Sequence, residues 1–248
     1  MSTHIEAAVS RLLETRNGGA AIPTEFTVAH PLTIQDGLEV QARVQAAMGP
    51  IAAWKIAPSS TVESPNFSVI LAQDTLSSPA RFTRNRFRKA VIECELAFRI
   101  GRDLTNPPYT REQVADAIAS LVPLFEIADT RLADSKATSM PWRLADFVSN
   151  GAVVVGPDFK DWRSVNMQQQ PVSLSFNGQI VGEKCGSSNP DLVALVQLLA
   201  NQAGRHCGGI LAGHVVTTGS IVNKAAGPGT EAIGGFPGLG ELRASIEK

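Results

Sequence analysis

Apolar and polar positions alternate most sharply over residues 91–100, VIECELAFRI. Successive side chains of a strand point to opposite faces. Ile92, Cys94, Leu96, Phe98 and Ile100 therefore share one face, and Glu93, Glu95, Ala97 and Arg99 the other. Runs at 51–57 (IAAWKIA), 67–72 (FSVILA), 124–130 (LFEIADT) and 151–156 (GAVVVG) also predict strands. Helical spacing covers residues 5–15 and 34–48, the latter with Thr33 as N-cap and Gly49-Pro50 as a stop. YTREQVADAIASLV predicts another helix, with Thr110 and Gln113 spaced as a capping box. Asn177-Gly178 between apolar flanks predicts a hairpin. Asn189-Pro190 opens a helix that ends near Gly208-Gly209, with His206 and Cys207 closing it. HVVTTGSIV reads as a strand, and ELRASIEK as a last edge strand. The glycine-rich GPGTEAIGGFPGLG reads as turns between edge strands; it lacks the Lys-Ser/Thr ending of a phosphate loop. Helices and strands do not alternate regularly, so an α+β fold is expected.

Composition narrows the function classes. The chain has 248 residues, 44% apolar and 18% charged, enough for a core of ordinary size. A net charge of −1 gives no electrostatic footprint for nucleic acid or an anionic membrane. No apolar run approaches the roughly 18 residues of a membrane span. Three cysteines, Cys94, Cys185 and Cys207, fit neither a disulfide framework nor a metal site of the CxxC type. Glu6, Arg11 and Glu14 within a helical pattern are unlike a signal peptide, so the cytoplasm is the expected location.

The candidate chemistry begins with Glu93 and Glu95, which stand side by side on one strand face, roughly 6.5–7 Å apart at the backbone. Glu126 sits in a similar setting, sharing its face with Leu124 and Ala128 while Phe125 and Ile127 face away. Like charges this close need water or a cation between them. One explanation is a half-solvated face on which Arg99 or Arg131 pairs with the acids. The other is a hard divalent cation, which prefers carboxylate oxygens. Lys55 is a lone cation in an apolar strand. Buried, it is expected to have a lowered pKa and to serve as a base or an anchor for an anionic substrate; at a strand end it snorkels to water. Cys94 is expected in the core, and His214 precedes a strand without an evident partner.

Taken together, several stretches resemble the fumarylacetoacetate hydrolase superfamily, in its branch of 2-keto-4-pentenoate hydratases and 4-oxalocrotonate decarboxylases. They are AWKIAPSS (53–60), ECELAFRIGRDL (93–104), FEIADTR (125–131), ADFVS (145–149), GHVVTTGS (213–220) and GLGEL (238–242). Their order and spacing carry the resemblance over nearly the whole chain. It implies an α+β mixed β-roll with peripheral helices over residues 51–248, preceded by a small helical region over residues 1–50. It also implies Mg²⁺ or Mn²⁺ on Glu93, Glu95 and Glu126, with Lys55 as an active-site lysine. Ser60, Asp146, Ser149 and Ser220 fall in segments that line the family's pocket.

The activity implied is a metal-dependent lyase of aromatic-compound catabolism, acting on a 2-oxo or 2-enol carboxylic acid. Hydration of 2-hydroxypentadienoate is the first expectation. Decarboxylation of 2-oxo-3-hexenedioate is the alternative, and a non-catalytic oligomeric partner or small-molecule binder a third. A homo-oligomer is implied, with association with a related hydratase or decarboxylase also open. Where hydratases of this branch carry an acidic pair, this chain has Ala72-Gln73, with Asp74 one place later as the candidate to position water. Phe147 stands where the branch has Asn, and Asn150 lies nearby out of register.

Overall fold

Three helices, α1 (Thr3–Arg16), α2 (Thr24–Ala29) and α3 (Ile34–Met48), precede the first strand in the computed structural model, which describes residues 3–187, 189–204 and 206–248. The Thr33 hydroxyl accepts from the Asp36 amide, and the Asp36 carboxylate accepts from the Thr33 amide, so α3 starts on a reciprocal cap. Strands β1 (Ile51–Ile56), β2 (Phe67–Leu71), β3 (Thr75–Ser77), β4 (Ala80–Phe82) and β5 (Val91–Ile100) follow. Helix α4 (Arg111–Ala117) runs directly into β6 (Ile118–Ala128), and α5 (Met140–Ala145) precedes β7 (Asn150–Val155). Hairpin strands β8 (Pro171–Phe176) and β9 (Gln179–Cys185) turn at Asn177-Gly178, where both residues have positive φ. Helix α6 (Leu192–Ala203) and strands β10 (Val215–Ala225), β11 (Glu231–Phe236) and β12 (Gly240–Ile246) complete the order.

These strands build two mixed sheets, and with the helices they make an α+β fold. The larger sheet has the order β2-β1-β10-β5-β6-β7-β3, and the smaller β4-β12-β11-β8-β9. The main core lies between the sheets and beneath the helices. It holds Cys94, Leu96 and Phe98 of β5, Phe125 of β6, and Val172, Leu174 and Leu242 of the smaller sheet. The opposite face of the larger sheet carries a second, smaller core of Ala53, Ile70, Ala97, Val122, Leu124, Val153, Val155 and Val215. Several of these side chains are small, and that lets the sheet curl around them. In a flat sheet β1 and β6 would lie about 14 Å apart, three strand spacings. Yet Lys55 on β1 meets Glu126 on β6 at 2.5 Å, so the curl closes that gap across the concave face.

Four expectations from the sequence differ from what the structure shows. The helix predicted through residue 122 stops at Ala117. Residues 118–128 instead pair along β5 from Ile118↔Ile100 to Ala128↔Val91 and send apolar side chains into both cores. Sheet pairing there outweighs helix propensity. Second, the glycine-rich segment is not only turns. It contains β11, an interior strand, in which a Cβ on Gly234 would sit 2.6 Å from the Phe125 ring. The third is ELRASIEK, which is an interior strand rather than an edge, because β12 lies between β4 and β11. The last long helix also ends earlier than expected, at Ala203; His206 and Cys207 lie in a separate short 3₁₀ turn. Among the described residues, no helix is long and apolar enough to cross a membrane.

Candidate active site

Five of the strands that build the inner core place their next inward residues at one end of the curl. Ala53 leads to Lys55, Ile70 to Ser68, Ala97 to Glu95 and Glu93, Leu124 to Glu126, and Val215 to Thr217. A polar cavity of about 220 Å³ gathers Lys55, Glu93, Glu95, Glu126, Thr217 and Ser220 in its lining. Glu93 and Glu126 are direct cross-strand partners on β5 and β6. One carboxylate oxygen from each of Glu93, Glu95 and Glu126 lies within 4.8 Å of the others. Glu95 and Glu126 are each 1% exposed, so water cannot dissipate the repulsion. Burial and the neighbouring Glu126 push Glu93 up to about 7, and burial with Glu126 and Glu93 pushes Glu95 up to about 8.

The surrounding chain aims donors at these acids. Thr217 donates its hydroxyl to Glu95, and the Gly219 amide donates to Glu95 Oε2 at 2.8 Å. Gly219 sits at an irregularity of the β10–β5 pairing with φ 104°, and a Cβ there would meet Pro58 at 2.6 Å. Only glycine can turn its amide inward at that point. Asn150 donates its side-chain amide to Glu126 Oε1 at 3.0 Å. Lys55 Nζ donates to Glu126 Oε1 at 2.5 Å and to the Val148 carbonyl at 3.1 Å. Burial alone would lower the Lys55 pKa, as the sequence suggested. The charge and hydrogen bond of Glu126, with Glu93 and Glu95 beyond, outweigh burial and raise it. Lys55 is therefore held in its ammonium form.

The Val148 carbonyl reaches Lys55 because residues 147–149 all have positive φ, at 55°, 47° and 61°. For a β-branched residue such as Val148 this conformation is costly, and the surroundings must impose it. Asp146 does so from within. It is fully buried and accepts from Arg131 Nε at 2.5 Å, from the Thr130 hydroxyl at 2.8 Å and from the Arg131 amide at 3.0 Å. Ser68 adds a hydroxyl hydrogen bond to the Phe147 carbonyl at 2.9 Å.

The sequence-derived site residues therefore separate in space. Lys55, Glu93, Glu95, Glu126 and Ser220 come together around one cavity. Asp146 does not face it; both its carboxylate oxygens are used inside the fold. Ser149 belongs to the strained turn and engages Asp129 and Asp146 through its backbone. Ser60 donates to Gln202 and accepts from the Asn66 amide in the loop after β1. Asp74 lies against a different cavity and pairs with Arg86 at 2.5 Å. Thr217, Gly219, Val148 and Arg143, which line the glutamate cavity, were not singled out from sequence, although Thr217 and Gly219 stand inside the TTGS stretch. His214 does have a partner: its Nδ1 accepts from Trp54 Nε1 at 3.1 Å.

A curled mixed sheet carrying three inward glutamates and one lysine at its end defines a β-roll with a candidate metal centre. The sequence model of the fumarylacetoacetate (FAA) hydrolase C-terminal family matches residues 35–247, and the chain belongs to that family. It is 36% identical over 139 residues to a 2-hydroxyhexa-2,4-dienoate hydratase of Comamonas testosteroni; the match covers 54% of this chain and 52% of that protein, so it spans about half of that relative's length. It is 25% identical over 189 residues to a 2-keto-4-pentenoate hydratase of Paraburkholderia xenovorans (strain LB400), covering 75% of this chain and 70% of the relative. Among solved structures, a 4-oxalocrotonate decarboxylase from Pseudomonas putida G7, complexed with magnesium and adipate, superposes with a TM-score of 0.86 over 99% of this chain and 98% of that one. At 19% identity, that likeness speaks to the fold.

Proposed function

We propose that this chain is a divalent-metal-dependent lyase acting on a 2-oxo or 2-enol carboxylic acid, in the first reading a hydratase of the 2-hydroxypentadienoate type. The observation that carries the proposal is the set of three converging carboxylates with Lys55 ion-paired to one of them. The donor set fits Mg²⁺ or Mn²⁺: all three side chains supply hard oxygen within 4.8 Å of one another, and a divalent cation would relieve the burial and mutual repulsion that push Glu93 and Glu95 up. Glu93, Glu95 and Glu126 would hold the ion, and Thr217, Gly219 and Asn150 orient the carboxylates that hold it. Bound there, the ion would supply Lewis acidity toward the oxygen at C2 of the substrate. The hydratases of Comamonas and Paraburkholderia and the magnesium of the decarboxylase structure support this reading.

Lys55 is the group placed for proton work. It is buried, fixed by Glu126 and the Val148 carbonyl, and held as an ammonium, so it can donate a proton or anchor the substrate carboxylate. Asp74 is engaged by Arg86 beside another cavity, so the proposal gives it no part in proton transfer.

A second reading, decarboxylation of a 2-oxo dicarboxylate such as 2-oxo-3-hexenedioate, is favoured by one feature. Arg143 lines the same cavity and has no ion-pair partner among the described residues, which suits a substrate with a second carboxylate. The two readings separate when metal-loaded protein is given 2-hydroxypentadienoate and 2-oxo-3-hexenedioate. Loss of dienoate absorbance without gas supports the hydratase, and CO₂ release from the diacid supports the decarboxylase. Turnover of neither would remove the lyase reading and leave a small-molecule binder or oligomeric partner of this fold.

A further inference from the structure

We propose that the cavity between helix α1 and the β-roll is a second ligand site, in which Arg16 binds a compact anion bearing a carboxylate or phosphate group. This cavity, about 540 Å³, lies within the range of small-molecule pockets. Its charged lining is Arg16, Arg86, Arg88 and Arg131 with Asp74 and Asp129. It shares no lining residue with the glutamate cavity. The strained turn separates the two. Val148 lines the glutamate cavity, while the neighbouring Phe147 stacks under Arg16, whose guanidinium carbon is 4.0 Å from the ring centroid.

Most of the charges around this cavity are already engaged. Arg131 is paired with Asp146, and Arg86 with Asp74. Arg88 Nη2 donates to the carbonyls of Thr15 and Gly19, and Asp129 accepts the backbone amides of Arg88 and Lys89. Arg16 is different. Its Nε and Nη2 are sealed from solvent, and among the described residues neither has a hydrogen-bond partner. Leaving such donors unmet in a buried guanidinium is expensive, and an aromatic face beneath the ring compensates only in part. Nη1 is not sealed and is the nitrogen an entering anion meets; a small turn of the side chain brings Nη2 out beside it, so that the fork takes two oxygens of one carboxylate or phosphate. Burial, then the nearby Arg131, pull Arg16 down to about 9, which still leaves it charged at neutral pH.

The test is calorimetric titration of the full chain, stripped of metal and chelator, with inorganic phosphate and with succinate. At least one should bind near one per chain and raise the melting temperature; the tighter of the two names the ligand class. Arg16→Met should weaken that binding by about tenfold or more. Glu93→Gln should leave it unchanged, which separates this site from the glutamate cluster. The proposal is overturned if neither anion binds at millimolar concentration, if Arg16→Met binds as tightly as the unmodified chain, or if Glu93→Gln abolishes binding. Should Arg16→Met fail to fold, Arg16→Lys keeps the charge and loses the fork. Weaker binding by that variant supports the site, and equal binding overturns it.

Discussion

Lys55 and Glu126 meet at 2.5 Å with side-chain exposures of 12% and 1%, so their charges interact with little water between them. Removing one partner of such a pair strands the other. Lys55→Met keeps the aliphatic stem and deletes the charge. If the lysine transfers a proton, turnover should fall roughly 10²–10⁴-fold with little change in metal affinity. A raised KM with turnover retained would assign it to anchoring the carboxylate instead. Cys94 tests the opposite face of the same strand. It is fully buried against the smaller sheet, so Cys94→Ala should cost about 1–2 kcal/mol in urea unfolding and leave metal binding intact. The period-two pattern around Glu93, Glu95 and Cys94 was sufficient to place all three, because a strand admits only two faces. Asp146 and Asp74 were singled out through the family resemblance and not through alternation. They lie in a turn and a short 3₁₀ segment, where sequence spacing does not set side-chain direction.

Among the elements, β10 shows how backbone shape serves the site. Its pairing with β5 slips between Thr217 and Ser220, and the slip turns the Gly219 amide toward Glu95. Gly219→Ala would force a Cβ against Pro58 at a φ that side chains rarely adopt. The variant should lose stability on the order of 1 kcal/mol or more, and Mn²⁺ affinity should fall although no carboxylate has changed. Unchanged affinity in calorimetry would mean that Glu95 needs no help from the bulge. The strained turn at 147–149 was not legible as strain. Phe and Val carry none of the Asn or Gly signature of positive φ; the conformation is held by the Asp146–Arg131 pair and by the Ser68 hydroxyl on the Phe147 carbonyl.

At the scale of the molecule, the sequence pattern accounts for most strands and for the α+β class, but not for the curl. The curl depends on small residues such as Ala53 and Ala97 meeting across strands distant in sequence. The helical layer outside β1 and β2 adds a pH dependence. Burial pulls the His206 imidazole down to about 4, where it stands 3.1 Å from Gln41 Oε1 and edge-on to Trp54 and Phe67. The unfolded chain therefore takes up this proton first. Stability from neutral His206 is present above the unfolded pKa and is lost as pH falls from about 6.5 toward 4. His206→Leu removes that titration. Urea unfolding at pH 7 and 4.5 should show the unmodified chain losing on the order of 2–3 kcal/mol relative to the variant. A difference that does not change with pH would contradict the burial assigned to this ring.

In the proposed function, the end of the roll is a metal centre built from Glu93, Glu95 and Glu126. Calorimetric titration with Mn²⁺ at pH 8, on the unmodified chain and on Glu93→Gln, tests it most directly. The account predicts one ion per chain for the unmodified protein and a loss of affinity of about tenfold or more in the variant, since a neutral amide offers a hard cation far less than a carboxylate. Equal affinity in the two proteins, or no binding by the unmodified chain, would contradict it.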